Sequence, residues 1–163
     1  MKKNEIHLVP YQDHHREALC RLWEQSVLAT HDFLSTSDFE HIKTLVWEID
    51  FNAFTVICAF QENQFVGFLG MHDQKIEMLF LHPSAFGKGI GKQLLHLAIE
   101  VHHCTKVDVN EQNHPAVGFY HQAGFQVLNR KPKDDLGLDY PILEMGLKKN
   151  PTEAGLKFFN YGI

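Results

Sequence analysis

The sequence predicts an α/β (α+β) fold, a mixed and mostly antiparallel twisted sheet of about six or seven strands with about four helices, and three patterns carry that expectation. First, β-branched and aromatic runs at residues 54–60, 65–71 and 75–81 are joined by the short polar turns around Glu62-Asn63 and His72-Asp73-Gln74. Connections that short join antiparallel neighbours. Second, the run 75–81 passes through a glycine-rich segment into an amphipathic helix and then a strand at 106–109, and a strand-helix-strand crossover makes a parallel pair. Third, apolar residues at helical spacing lie both before and after this block.

Taken in order, residues 6–9 form an apolar run closed by Pro10, and Leu19, Leu22, Trp23, Ser26 and Val27 then follow at helical spacing in a helix from His14. Ser35 or Ser37 can cap a second helix through Ile42, Leu45, Val46 and Ile49. After the three antiparallel strands, Ile90, Leu94, Leu97, Ala98 and Val101 make one apolar stripe on a helix that ends at His102-His103. A short strand at 106–109, a short helix at 115–121, a strand at 125–128 and a last strand at 142–147 complete the order, with Gly124 stopping the short helix. Residues 1–149 are expected to be a single domain, and the tail 150–163, aromatic at Phe158, Phe159 and Tyr161, to pack on it or on a partner.

A net charge of -5 argues against a nucleic-acid or membrane-surface binder, because both need a basic face. Cys20, Cys58 and Cys104 form no C-x-x-C pair and cannot all bridge within the chain, which points to a reducing, cytoplasmic setting. No apolar run of signal-peptide or membrane-span length is present.

The chemistry concentrates after Leu81-His82-Pro83, where Phe86-Gly87-Lys88-Gly89-Ile90-Gly91-Lys92 opens a helix. A helix start leaves amides without intrahelical partners and carries partial positive charge, so it holds a phosphate group. Gly87, Gly89 and Gly91 let the ligand approach, and Lys88 and Lys92 add mobile charge. A Walker A loop needs glycine five residues before Gly91 and Ser or Thr after Lys92, where Phe86 and Gln93 stand. A dinucleotide fingerprint from Gly87 and Gly89 needs a small residue at Lys92.

With those excluded, the segment resembles the acetyl-CoA loop of the GCN5-related N-acetyltransferase (GNAT) superfamily, R/Q-x-x-G-x-G/A, in Gly89-Ile90-Gly91 after the apolar-His-Pro triplet at Leu81. Asn113, Ala116, Tyr120 and Gly124-Phe125 are similar to its downstream motif N-x-x-A-x-x-x-Y-x-x-x-G-F, and the element order matches over residues 6–147. Small bacterial acetyltransferases are the nearest in pattern. The resemblance implies helices on both sheet faces and a parallel pair at the cofactor cleft. One departure stands out: the first loop position, Arg or Gln in the family, is Phe86. A charge-assisted hydrogen bond contributes about 1.5–3 kcal/mol, less than several amides and two lysines together, so weaker cofactor binding is expected rather than none.

The resemblance implies transfer of an acetyl group from acetyl-CoA, leaving CoA, to a primary amine of a small molecule or peptide by direct attack. Backbone groups of Leu79, Phe80 and Leu81 would pair with the pantetheine arm, and Gly87, Lys88, Gly89, Ile90, Gly91 and Lys92 would hold the pyrophosphate. Asn113 would contact the cofactor arm, and Tyr120 would be the general acid. For the base, Glu77 leads, with Asp108 and then Glu111 as runners-up, and His31, Asp32, Phe33 and Leu34 fall where the acceptor pocket would form. Twelve histidines raise a metal reading, but no H-E-x-x-H or C-x-x-C spacing supports one. The protein would act as a monomer or homodimer. The rival is a noncatalytic acyl-CoA-binding sensor or interaction module of the same fold.

Overall fold

The structure, a computed structural model, describes residues 5–147. The first four residues and the aromatic tail from 148 lie outside that range, and with them the expectation for the tail. In chain order the elements are β1 (Ile6–Pro10), α1 (Arg16–Thr30), α2 (Thr36–Trp47), β2 (Thr55–Gln61), β3 (Gln64–His72), β4 (Lys75–Leu81), α3 (Ile90–Glu100), β5 (Lys106–Asn110), α4 (His114–Gln122), β6 (Phe125–Lys131) and β7 (Ile142–Leu147). The strands form one seven-stranded sheet of order β1-β2-β3-β4-β5-β7-β6, mixed because β4 and β5 run parallel. The chain divides into two compact units.

The first unit comprises the residues up to His72 together with Met78–Leu95. Helix α1 begins at Arg16 rather than His14, because the chain first makes a 3-10 turn in which the Gln12 amide donates to His15 Nδ1 at 3.0 Å. Its predicted stripe is buried throughout, Cys20 included. Of the two capping serines it is Ser35 whose Oγ accepts from the Asp38 amide at 3.1 Å, satisfying one of the donors a helix start leaves open. Trp23 of α1 stacks on Phe39 of α2 with ring centroids 5.8 Å apart. Arg16 donates to the carbonyls of Trp47 and Ile49 where α2 runs out and lies 5.2 Å over the Phe51 ring, tying the two helices together.

Strands β2 and β3 form an antiparallel hairpin whose turn residues Glu62 and Asn63 take φ of 50° and 65°, the twist that suits a two-residue connection. Val56, Cys58 and Phe68 of this hairpin belong to the core with α1 and α2. Gly67 faces the other way: a Cβ there would stand 2.6 Å from the Leu81 side chain and 3.6 Å from that of Leu94. Glycine therefore lets Leu81 and the start of α3 settle against β3, and this part of the sheet carries helices on both faces.

The second unit comprises Asp73–Glu77 and the described residues from His96. Lys75 and Ile76 pair in parallel with Lys106 and Val107, and β7 pairs antiparallel with both β5 and β6. Ala98 and Ile99 of α3 are buried, whereas Val101, expected on the same stripe, is 59% exposed. The helix stops earlier than its apolar pattern suggests: His103 turns left-handed (φ 58°) and the Cys104 amide donates to the Ala98 carbonyl at 2.9 Å. Strand β6 runs three residues beyond the predicted 128, because past a bulge at Val127/Asn129 it continues pairing with β7 through polar residues that carry no strand pattern.

Candidate functional site

In the first unit, β4 ends at Leu81 and the His82 amide donates to the Val66 carbonyl at 2.8 Å, anchoring the exit from the strand. His82 caps the 3-10 turn Pro83–Ala85 with its Nδ1, which accepts from the Ser84 amide at 3.1 Å, and buried Ala85 pins the turn. Phe86 is extended, Gly87 and Gly89 take φ of 73° and 81°, and the first bond of α3 runs from the Gln93 amide to the Gly89 carbonyl at 3.1 Å. The amides of Ile90 and Gly91 lie ahead of that bond, in the turn where helical N–H groups have no carbonyl behind them. A Cβ on Gly87 or Gly89 would meet nothing within 4 Å, so the space over the loop is open. Buried Ile90 and Leu94 orient the helix, and Lys88 and Lys92 are exposed. This is a fit for a pyrophosphate: backbone donors, left-handed glycines, open space and two lysines.

Phe80 packs with the α1–α2 core, its ring 5.6 Å from Phe68, and Leu79 and Leu81 are half-buried beside it. His31, Phe33 and Leu34 occupy the α1–α2 connection, and their fates differ. Leu34 packs into the core, while the rings of His31 and Phe33 meet at 5.1 Å. Thr30 Oγ1 donates its single proton to the Ser26 carbonyl at 2.8 Å, so the 2.7 Å contact with His31 Nδ1 has the imidazole donating. That leaves Nε2 as the lone-pair nitrogen. Burial, partly opposed by the Asp32 carboxylate, pulls the His31 pKa down to about 4, so the ring is neutral at pH 7.

In the second unit, Asp108 of β5 accepts from Lys75 Nζ across the parallel pair at 2.9 Å. Burial works to lower the Lys75 pKa, but the Asp108 hydrogen bond and charge, helped by the charge of Glu77, raise it overall. Glu77 itself is exposed and makes no hydrogen bond among the described residues. Glu111 accepts a two-pronged hydrogen bond from Arg130 at 2.7 and 2.9 Å, which holds its carboxyl below the usual range. Two of the three candidate bases are thus occupied by cations, and Glu77 is not. Lys75 and Arg130 were not singled out from the sequence, because each meets its acid only through strand pairing across 33 or 19 positions.

Asn113 caps α4, its Oδ1 accepting from the Ala116 amide at 3.3 Å, which leaves its amide NH2 to donate elsewhere. Tyr120 is buried between Phe119 and Phe125, with rings 5.1 and 5.6 Å away at steep angles, and burial pushes its phenol above the usual tyrosine range. It therefore holds its proton at neutral pH. Cys58 and Cys104 are buried and pushed up to about 12 and about 11, so neither is a thiolate nucleophile. The adjacent His14 and His15 rings lie 4.0 Å apart, with His15 already capping its turn.

The profile of the family described as Acetyltransferase (GNAT) domain matches residues 24–142. The chain is 38% identical over 129 residues to the peptidyl-lysine N-acetyltransferase YjaB of Salmonella typhimurium, an alignment covering 79% of this chain and 89% of that one. It is 26% identical over 123 residues to the peptidyl-lysine N-acetyltransferase YiaC of Escherichia coli, covering 74% and 84%. The solution structure of apo-form YjaB from Escherichia coli superposes with a TM-score of 0.81 at 35% identity, over 90% of this chain and 99% of that one.

Proposed function

The chain belongs to the GNAT family of acetyltransferases, and from that premise we propose that it moves an acetyl group from acetyl-CoA to the side-chain amine of a peptide lysine by direct attack. The observation that carries the acceptor class is the 38% identity to a peptidyl-lysine N-acetyltransferase across 89% of that protein. The open glycine loop at the head of α3 supports the donor. We propose residues 1–149 as a single acetyltransferase domain.

When bound, acetyl-CoA supplies a thioester carbonyl activated toward amines. The amides between Gly87 and Lys92, with both lysine side chains, would hold its pyrophosphate, and the amide NH2 of half-buried Asn113 and the backbone of Leu79, Phe80 and Leu81 would hold its arm. A lysine ammonium, with a pKa near 10.4, must lose a proton before its nitrogen can attack. Glu77 is the group we assign to take it, because Asp108 is bound to Lys75 and Glu111 to Arg130. Tyr120 would hand its phenolic proton to the departing sulfur, and its burial keeps that proton in place until the sulfur carries charge. His31, Phe33 and Leu34 would line the acceptor side, with the His31 Nε2 lone pair able to accept from an amine N–H.

The test is release of CoA thiol with acetyl-CoA and a panel of lysine peptides, free lysine and polyamines. Lysine peptides should raise the rate most. Tight acetyl-CoA binding with no amine accelerating thiol release would instead favour a noncatalytic acyl-CoA-binding module.

A further inference from the structure

The chain contains 13 phenylalanines, and among the described ones Phe86 alone is exposed, at 40%. The others are buried or half-buried, and most of those with ring contacts meet another aromatic, as Phe68 meets Phe80 and Phe60 meets Phe65. No aromatic ring lies against Phe86 among the described residues. It is held in the open by its neighbours: Ala85 and Ile90 are each 1% exposed and fix the loop on both sides, while the Phe86 amide donates back to Pro83 at 3.2 Å. Immediately after it come the left-handed glycines 87 and 89, with open space over each, and the exposed Lys88.

An unstacked aromatic face beside backbone donors and cations is a pairing of complementary recognition elements. The donors and cations take phosphate, and the ring takes a flat π system, stacking with little regard to which base it meets. A cationic side chain at this position would add to the phosphate term and to its salt dependence, whereas phenylalanine adds neither. We propose that Phe86 is the platform on which the adenine of acetyl-CoA stacks, so that this loop replaces a charge contact to the pyrophosphate with an aromatic contact to the nucleobase. The proposal rests on the acetyl-CoA reading above and adds a residue that sets cofactor selectivity.

Three probes divide the cofactor: acetyl-CoA, adenosine 3′,5′-bisphosphate with base and phosphates but no arm, and acetyl-4′-phosphopantetheine with the arm but no base. Calorimetric titration of wild type, Phe86→Ala and Phe86→Trp should show Phe86→Ala weakening the first two by about tenfold. The third should be unchanged. Phe86→Trp should retain or tighten the two adenine-bearing probes, and as a surface substitution Phe86→Ala should leave the melting temperature of the free protein unmoved. Equal weakening of all three would place the ring on the phosphates that every probe carries and overturn the proposal, as would no weakening of any. Wild-type protein that binds none of the probes would overturn the acetyl-CoA reading along with it, whereas tight wild-type binding with an indifferent Phe86→Ala removes the platform alone.

Discussion

The glycine loop after β4 and the proposed acid–base groups on β4, β5, the turn after β5 and α4 are built on opposite terms. The loop works through its backbone: left-handed Gly87 and Gly89, the first amides of α3, and a turn pinned by Ala85 and capped by His82. Its donors exist whatever the rest of the chain does, because any helix start exposes them. The acid–base groups work through side chains, and each is usable or not according to what it meets. Asp108 and Glu111 are engaged by Lys75 and Arg130, Tyr120 keeps its proton because it is buried, and Glu77 is left over. Backbone sites are specified locally, and side-chain sites by exclusion among remote partners.

The largest effect should come from breaking the backbone element. Gly89→Asp puts a carboxylate at the proposed pyrophosphate site and forces an L-residue to φ of 81°, a conformation costing roughly 1–2 kcal/mol. Since its Cβ meets nothing within 4 Å, the fold should survive, while acetyl-CoA affinity falls by at least a hundredfold. Gly89→Ala carries the same strain without the charge and should lose much less. Equal losses would mean that loop shape, and not anion binding, is what the substitution destroys. The next largest effect tests a side chain. Tyr120→Phe removes an oxygen that makes no hydrogen bond among the described residues and leaves both ring contacts, so melting should shift little while kcat falls on the order of 100-fold or more with acetyl-CoA affinity preserved. A kcat within twofold of wild type would remove Tyr120 as the acid.

How much of this was legible in the sequence follows the same division. The loop was readable because Gly89-Ile90-Gly91, the strand before it and the helix after it are contiguous, and the strand-helix-strand order fixed the parallel β4–β5 pair with it. The antiparallel hairpins were readable from their turns. Val101 was misplaced because periodicity continues past a helix end that a left-handed His103 imposes, and the end of β6 was missed because its last residues are polar and pair only through β7. Lys75 and Arg130 were invisible as partners, since nothing local marks which acid a basic residue will meet. The His31 tautomer depends on a hydroxyl whose proton goes to the Ser26 carbonyl, four residues before it, a detail of helix geometry rather than composition.

His31 offers a third, more gradual perturbation. Its folded pKa of about 4, lowered by burial, lies below the roughly 6.5 of an unfolded histidine. Between those values the unfolded chain binds more protons than the folded one, so the stability associated with the neutral ring is fully present above about pH 6.5 and is lost as pH falls toward 4. The change amounts to about 3 kcal/mol at most. Denaturant midpoints measured from pH 7.5 to 4 should fall across this window in wild type, and His31→Gln should flatten the slope. A slope that persists in His31→Gln would assign it to other groups.

The smallest expected effect sharpens the choice among carboxylates. If Glu77 takes the proton from the acceptor, Glu77→Gln lowers kcat/KM by about 10- to 100-fold at pH 7, and the deficit shrinks as pH rises toward the lysine pKa, because the amine then arrives already neutral. Asp108→Asn acts differently. It strips a part-buried Lys75 ammonium of its partner, which should cost about 0.5–1 kcal/mol of stability and a few-fold of rate through displacement of β4, with no recovery at high pH. The pH dependence separates the two roles where a rate at one pH cannot, since distortion of the strand does not depend on the protonation state of the acceptor. A deficit that high pH repairs in Asp108→Asn but not in Glu77→Gln would move the base to β5 and make the Lys75 pair the means of holding it ionised rather than of withholding it.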